Sequence, residues 1–308
     1  MATAVELQNL EISFGAPRTG CLQTPSGLRL DLAAPLLGGP SQDALEAGED
    51  TEFLSEGPLS IIRGPDRTIG LALHACQEGI QQGAAEIYTA LLGALNGHSL
   101  YRVWNFIPQI NALADGLENY RAFNLGRHSA FHDHFGPETM ESILPAAAAV
   151  GIENGPLVLV FVAGTAPVSF LENPAQIPAY RYPATYGPAS PSFARAAVVR
   201  PDWSAPIGYL SGTSSIRGHE TIGQDDLETQ FAVTWENVTL VRKRMALGEG
   251  KPLRASYRIY LRHRSDFPRV KALFEEQVGP EVCRTATFLQ ADICRHPLRL
   301  EIEATFTT

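Results

Sequence analysis

Residues 298–306 read LRLEIEATF and predict a β-strand, because apolar residues alternate with polar ones along the whole stretch. Upstream of it, short apolar runs and two longer segments with helical spacing are separated by glycine and proline. The predicted strands lie at residues 157–163, 168–171, 196–199, 207–211, 257–261 and 285–289, and the predicted helices at 225–247 and 267–277. The order, a run of strands followed by α-β-α-β-β, predicts an α/β (α+β) fold.

The first half of the chain shows a weaker version of the same order. Its predicted strands lie at residues 5–7, 10–12, 28–32, 59–62, 69–73 and 99–106, and its predicted helices at 84–95 and 117–134. Residues 38–50, GGPSQDALEAGED, lack periodicity and predict an exposed, mobile loop. We therefore predict two related domains, at residues 1–150 and 151–308. This division depends on element order alone, since the sequence has no residue-level repeat.

Length and composition are those of a globular enzyme. The 308 residues are 44% hydrophobic and 19% charged. The net charge of −9 argues against non-specific binding to nucleic acid, which needs a basic surface. The apolar runs are too short to cross a bilayer, and the first residues, MATAVELQNLEISFG, lack the basic start and apolar core of an export signal. We expect a cytoplasmic protein with no nucleic-acid or membrane partner.

The sequence predicts no cofactor and no metal. Glycine-rich phosphate loops are absent, so neither a nucleotide nor a flavin is implied. His132 and His134 lie two residues apart on a predicted helix and point in different directions, which makes them a poor chelating pair. Four cysteines without metal-like spacing are expected to be reduced thiols: Cys21, Cys76, Cys283 and Cys294.

Arginine and tyrosine crowd together in two stretches, YRVWNFIPQINALADGLENYRAFNLGRHSAF at residues 101–131 and YRYPATYGPASPSFARA at 180–196. Planar guanidinium groups beside tyrosine hydroxyls suit a small molecule with two carboxylates. We select Arg127 and Arg195 as the carboxylate-binding forks and Tyr186 as a hydroxyl partner, with Tyr180 and Arg181 in the same set. Each of these arginines, taken alone, is more often a surface or packing residue.

Three other polar residues of the first stretch have weaker claims. Arg121 is an alternative to Arg127, while Arg102 and Asn105 are expected to tie their strand to neighbouring backbone. In the segment GHET, His219 and Glu220 fit a general-base pair or a turn equally well.

The alternation in LRLEIEATF places Glu301 and Glu303 on the polar face of the last predicted strand. That face is either solvated, which is the usual case for acidic residues, or it holds a carboxyl partly desolvated. Desolvation would raise the pKa of the carboxyl enough for it to donate a proton near neutral pH.

The two arginine-rich stretches, SGTSSIRGHET at residues 211–221 and ADICRHPLRLEIEA at 291–304 together resemble the chorismatase family. The resemblance covers the chain from about residue 100 onward, with four motifs in the family's order. Chorismatases remove pyruvate from chorismate without a cofactor. The resemblance implies that Glu301 is the proton donor and that Thr213 and Ser214 lie in a turn along the substrate ring. It also places Cys294 where family members that make hydroxybenzoates carry a thiol.

The element order is also similar to that of the reactive-intermediate deaminases, the RidA/YjgF-like fold. This resemblance implies mixed sheets backed by helices, in two such domains, the first of them degenerate. Related folds often trimerise, which makes a homotrimer one assembly to test.

The expected reaction yields pyruvate and 3-hydroxybenzoate, with 4-hydroxybenzoate as a second product. Alternatives are hydrolysis to a dihydroxycyclohexadiene carboxylate, an imine deaminase, and a non-catalytic binding protein on the same scaffold.

Overall fold

The computed structural model describes residues 8–202, 204–248 and 253–308, and the strand predicted at residues 5–7 lies outside them. The strands are β1 (Asn9–Phe14), β2 (Gly20–Thr24), β3 (Gly27–Leu32), β4 (Leu36–Gly38), β5 (Gln42–Glu46), β6 (Glu52–Glu56), β7 (Leu59–Arg63), β8 (Arg67–His74), β9 (Ser99–Pro108), β10 (Leu113–Ala114), β11 (Leu117–Glu118), β12 (Ala146–Ile152), β13 (Leu157–Gly164), β14 (Val168–Leu171), β15 (Ala196–Val199), β16 (Ile207–Thr213), β17 (Ile216–Arg217), β18 (Glu220–Thr221), β19 (Arg254–Leu261), β20 (Thr287–Gln290) and β21 (Leu300–Thr307). The helices are α1 (Ile80–Ala94), α2 (Asn119–Phe135), α3 (Pro137–Ile143), α4 (Leu227–Arg244), α5 (Phe267–Val278) and α6 (Pro280–Thr285).

Two large mixed sheets share one strand order. The first sheet runs β12-β9-β13-β8-β7-β6, and the second runs β14-β15-β16-β21-β19-β20-β4. Read in the opposite direction, and leaving β4 aside, the second sheet matches the first strand for strand. The one parallel pair of each described sheet falls at the same place, β12 with β9 and β20 with β19. The predicted α/β class, with mixed sheets backed by helices, is confirmed.

Helices cover the outer face of each sheet. In α1 the buried residues Ala84, Ile87, Tyr88 and Leu91 recur at helical spacing and pack on the first sheet. Gly126 of α2 lies so close to α1 that a β-carbon there would come within 2.1 Å of a backbone oxygen. The missing side chain of this glycine therefore allows the two helices to pack closely. Helices α4 and α5 cover the second sheet in the same way.

The inner faces of the two sheets meet in a shared core. Trp104 and Val160 from the first sheet and Tyr209 and Tyr260 from the second belong to one buried cluster. A small sheet of order β2-β3-β1-β5 adds the apolar side of the N-terminal strands to this core. The polar face of β21 is turned inward as well, so its charged residues lie between two sheets rather than in solvent.

The expected loop at residues 38–50 is wrong. Strand β5 lies inside it and pairs antiparallel with β1, while β4, just before it, pairs with β20 at the edge of the second sheet. The residues of β5 alternate between exposed and half-buried, so backbone pairing rather than an apolar face makes this strand.

We propose that the two large sheets define two related units. The boundary predicted at residue 150 falls within β12, and β13 also pairs inside the first sheet. The change from one unit to the other is therefore placed between β13 and β14, over residues 165–167.

Candidate active site

A cavity of about 630 Å³ opens where α2, β12 and the end of β21 approach one another. Loop residues 182–195, the end of β16, the β17–β18 hairpin and residues 294–297 complete its wall. Nine of the lining residues are central to its chemistry: Arg127, Tyr182, Tyr186, Arg195, Gly212, Ser214, Cys294, Arg295 and Glu301. These residues come from distant parts of the sequence, and all nine belong to the motifs that carried the resemblance.

Glu301 is the carboxyl at the closed end of this cavity. It is 4% exposed, and among the described residues its Oε1 has no hydrogen-bond partner. Burial, reinforced by the nearby charge of Glu303, raises the pKa of Glu301 to about 8, against the opposing effects of Arg102 and Arg195. The carboxyl is therefore largely protonated at neutral pH, as a general acid must be.

Gly212 makes room for this carboxyl. A β-carbon built at Gly212 would lie 1.9 Å from Oε1 of Glu301. The pairing of β16 with β21 is also interrupted between Leu210 and Thr213, opposite Glu303. Irregular pairing of this kind is frequent beside active sites. Gly212 was part of a quoted motif but was not selected from the sequence, because its role depends on the strand across from it.

Glu303 is buried too, but in a different environment. Its Oε1 accepts hydrogen bonds from Arg258 at 2.9 Å, Trp104 at 2.9 Å and Tyr260 at 3.1 Å, and its Oε2 accepts one from Arg102. The expectation of a solvated polar face is therefore wrong for both glutamates. Arg102, as expected, ties β9 to a neighbouring strand, although through a side chain and not through backbone.

Arg127 and Arg195 are the two buried arginines of the cavity, 1% and 4% exposed. The Nη2 of Arg127 donates to Oδ1 of Asn124 at 2.8 Å, and the Nη2 of Arg195 donates to the hydroxyl of Tyr182 at 2.8 Å. The Nε atoms of both arginines have no hydrogen-bond partner among the described residues, although the Nε of Arg195 lies 3.9 Å from Oε2 of Glu172. The Nε of Arg127 is thus left as a donor for an anion, and Phe193 lies within 6 Å of both guanidinium groups.

A third cation, Arg295, lines the cavity and was not selected from the sequence. Its guanidinium carbon lies 3.9 Å from the ring centroid of Tyr186, and its Nη1 donates to the backbone oxygen of His219 at 2.7 Å. Arg295 follows Cys294 directly in the motif ADICRHPLRLEIEA, which is the signal that could have indicated it. Together the three arginines make a cationic pocket in an acidic protein.

Tyr186 reaches the cavity as expected, and its hydroxyl lies 3.2 Å from Nδ1 of His219. The backbone of His219 is held by Arg295, and Glu220 also lines the cavity. The structure thus gives the GHET segment a hairpin, β17–β18, that supports the Tyr186 side of the wall.

Cys294 lines the cavity near Glu301. Burial and the adjacent Glu301 raise the pKa of the thiol to about 12. The thiol is therefore protonated at neutral pH and does not act as a thiolate. A protonated thiol can still donate a hydrogen bond or relay a proton.

The two turn residues have separate positions. Ser214 lines the cavity and its hydroxyl donates to the backbone oxygen of Leu300, one residue before the acid. Thr213 is buried beside it and donates to the backbone oxygen of Ser211, so it braces the turn instead of lining the cavity.

Tyr180 and Arg181 lie outside the cavity. Arg181 is 62% exposed and forms an ion pair with Glu141 at 2.6 Å, and Tyr180 packs half-buried against the outer core of the first sheet. A short 3₁₀ turn at Ala179–Arg181 directs both away from the substrate space. Arg121, the alternative to Arg127, is at the cavity wall and pairs with Glu118 at 3.3 Å.

The described residues contain no group of three or more His, Cys, Asp or Glu side chains placed to hold a metal ion. His132, from the segment considered for metal binding, is half-exposed and contacts Asp133 at 3.3 Å. Within the described ranges, no helix is both long and apolar enough to span a bilayer.

Comparisons with known proteins agree with this geometry. The family model described as "Chorismatase FkbO/Hyg5-like, N-terminal" matches residues 50–163. A chorismatase from Streptomyces rapamycinicus is 36% identical over 281 residues, covering 85% of this chain and 80% of the relative. A 3-hydroxybenzoate synthase from Streptomyces hygroscopicus is 34% identical over 231 residues, covering 69% of this chain and 65% of the relative.

Among solved structures, a chorismatase crystal structure superposes with a TM-score of 0.84 at 26% sequence identity. The superposition covers 99% of this chain and 94% of that chain. With both large sheets included in the match, and with the level of identity to the curated relatives, the assignment extends over the whole fold. This chain is an enzyme of the chorismatase family.

Proposed function

We propose that this enzyme protonates the enolpyruvyl group of chorismate and releases pyruvate. The observation that carries the proposal is Glu301: a buried carboxyl with a raised pKa, facing a cavity that also contains two buried arginines. Chorismate is a dianion with an enol ether, so it needs both a cationic pocket and a proton donor. The chorismatases among the relatives support this substrate.

In the proposed first step, the proton of Glu301 goes to the terminal methylene of the enol ether. The methylene becomes a methyl group, and the former enol carbon becomes an oxocarbenium ion. Arg127 and Arg195 hold the two carboxylates so that the methylene lies within reach of the acid. Once ionised, Glu301 faces the positive charge that it has created, which lowers the energy of that intermediate.

The oxocarbenium ion then has two fates. Attack by water gives a hemiketal that collapses to pyruvate and a dihydroxycyclohexadiene carboxylate, with one water consumed. Attack by the ring hydroxyl of the substrate gives a cyclic ketal instead. Cleavage of one ring carbon–oxygen bond and loss of a ring proton make the ring aromatic, and the hemiketal that remains collapses to pyruvate and a hydroxybenzoate, with no water consumed. Aromatisation releases one ring proton, which balances the proton that Glu301 supplied.

We favour 3-hydroxybenzoate as the aromatic product, with 4-hydroxybenzoate as a second one. Support comes from Cys294, a protonated thiol beside the acid, and from the similarity to a 3-hydroxybenzoate synthase. Ser214 fills the ring side of the turn and bears on which isomer forms.

Incubation of the purified enzyme with chorismate tests the function directly. Pyruvate is measured by a coupled assay, and the second product is identified by chromatography against the two hydroxybenzoates and the diene. An enzyme that releases no pyruvate is not a chorismatase in activity, and the imine deaminase and the non-catalytic binder become the leading alternatives.

Replacing Cys294 by Ala tests the product assignment. We expect pyruvate release to continue and the product to shift toward the diene, because no thiol remains to assist proton transfer around the ring. The Cys21→Ala variant, changed in β2 and away from the cavity, is the matched control and should keep the parent product. A parent that makes only the diene would reduce Cys294 to a packing residue.

The cytoplasmic location and the homotrimer remain predictions from the sequence. Light scattering on the purified enzyme tests the second.

A further inference from the structure

Glu303 follows Glu301 by two residues on the same face of β21, and both carboxyls are buried. It accepts four hydrogen bonds, two of them from guanidinium groups, and donates none. A carboxyl that only accepts, and does so from cations, is ionised. The strand therefore carries one fixed negative charge beside one carboxyl that must remain neutral to act.

We propose that Glu303 is a positioning residue, whose fixed charge keeps the carboxyl of Glu301 protonated between turnovers. This inference depends on the proposed role of Glu301 as the proton donor. It addresses a difficulty of that role, because the arginines that attract a dianion also favour ionisation of any nearby acid.

The hydrogen bonds show how the difficulty is resolved. Arg102 is the strongest cationic influence on Glu301, and its Nη2 is bound to Glu303. Arg258 is likewise held between Glu303 at 2.9 Å and Asp43 at 2.6 Å. Both cations are thus compensated by Glu303, while Glu301 experiences the negative charge of Glu303 directly.

The other titratable and charged groups around Glu301 do not replace this effect. Cys294 and Tyr120 are partly buried, and their pKa values are raised, so both are neutral at working pH. Tyr260, the neighbour of Glu301 across β19, donates to Glu303 and is neutral as well. The other charged groups that line the cavity are four arginines and two glutamates: Arg121, Arg127, Arg195, Arg295, Glu118 and Glu220. Glu118 is paired with Arg121 at 3.3 Å. Among the described groups, Glu303 is the negative charge that acts on Glu301 most strongly.

The expected size of the effect can be estimated from geometry. Two side chains on one face of a strand, two residues apart, are separated by roughly 6–7 Å. At an effective dielectric constant of about 20, one unit charge at that distance shifts a pKa by roughly one to two units.

The test is the pH profile of kcat for Glu303→Gln. Glu301 donates its proton only while protonated, so activity is full below its pKa and is lost as the pH rises through it. Removing the charge of Glu303 should lower that pKa, and the basic limb of the profile should move down by roughly one to two pH units. Asp43→Asn is the matched control, since it removes one negative charge from the far side of Arg258 and should leave the limb in place.

Glu303→Gln leaves two buried arginines without their carboxylate and could fail to fold. The double variant Arg102→Met/Glu303→Gln avoids this, because Arg258 keeps its pair with Asp43. Glu303 affects Glu301 more than Arg102 does, so the limb should still move down, but by less than in the single variant. A limb that stays at the parent position in whichever of these variants folds overturns the inference.

An infrared titration separates this inference from the proposed function, since it needs no substrate. The protonated-carboxyl band of Glu301 is obtained as the difference between the parent and Glu301→Gln. We expect the band to disappear near pH 8 in the parent, and at lower pH when Glu303 is replaced. An unchanged midpoint refutes the role of Glu303 even if chorismate is turned over. A shifted midpoint supports it even if chorismate is not the substrate.

Discussion

Strands β13 and β21 occupy the same place in two sheets of the same strand order, yet they differ completely in chemistry. Strand β13, LVLVFVAG, is apolar and buried at every position. Strand β21, LEIEATFT, is almost as buried and carries Glu301 and Glu303. The comparison shows that this position in the fold does not need charge for stability. Burying a carboxyl costs several kcal/mol unless it is neutral or paired, so the two glutamates are retained for another reason.

The two carboxyls avoid that cost in different ways. Glu303 is ionised and fully hydrogen-bonded, which makes it a fixed charge. Glu301 is neutral and keeps one oxygen unpartnered among the described residues, as the proposed proton donor requires. The proposed mechanism therefore depends on this difference between two neighbouring carboxyls.

The largest expected effect comes from removing the proposed proton donor, Glu301. Glu301→Gln keeps the size and polarity of the side chain but has no carboxylic proton to give. Turnover should fall by roughly two to four orders of magnitude, while the affinity for chorismate should change little. Steady-state pyruvate assays and direct binding measurements check both parts. Near-parental turnover would remove Glu301 from the mechanism.

A smaller loss of activity should follow from a substitution that displaces the carboxyl of Glu301. Gly212→Ala places a methyl group where Oε1 of Glu301 now lies, so the acid must move. A displacement of about 1 Å can lower a rate by roughly a hundredfold, and we expect kcat to fall by about that factor. Gly93→Ala is the control, because no atom lies within 4 Å of the added carbon and helix α1 should gain up to about 1 kcal/mol of stability.

The mildest change concerns the pocket that holds the substrate. Arg127→Lys and Arg195→Lys keep the charge but lose the planar fork, and each should weaken chorismate binding roughly tenfold. Arg181→Lys should bind as the parent does, because that side chain pairs with Glu141 at the surface. Calorimetry with the inactive Glu301→Gln background separates binding from turnover. Equal affinities in all three variants would make Arg127 and Arg195 structural.

Most strands and helices could be predicted from the sequence because their apolar residues recur with a clear period. Helix α4, predicted at residues 225–247, is found at Leu227–Arg244, where Asp226 caps its first turn. Strand β12, AAAAVGI, was missed. Its alanines have no strand preference, and parallel pairing with the buried strand β9 determines its conformation.

Prediction of the site was limited by the same lack of tertiary information. The alternating pattern placed Glu301 and Glu303 on one face of their strand. Whether that face is exposed to solvent depends on the other large sheet, which packs against it. Arg181 and Tyr186 belong to the same motif, but they lie at the ends of two successive 3₁₀ turns. Tyr186 lines the cavity, whereas Arg181 is exposed outside it. The motif predicted which segment of the chain borders the cavity. Which of its side chains point into the cavity could be read only from the three-dimensional structure.

The pairing of β4 with β20 has a consequence for the order of folding. The hydroxyl of Thr287 donates to the backbone oxygen of Pro40, 247 residues away in the sequence, and β4 covers the open edge of β20. Contacts between such distant residues form slowly, because a long loop must close before any contact rewards it. Until β4 arrives, β20 exposes an unpaired edge that other chains can join. We therefore expect β4 to pair with β20 late in folding and, once paired, to prevent this edge from joining other chains.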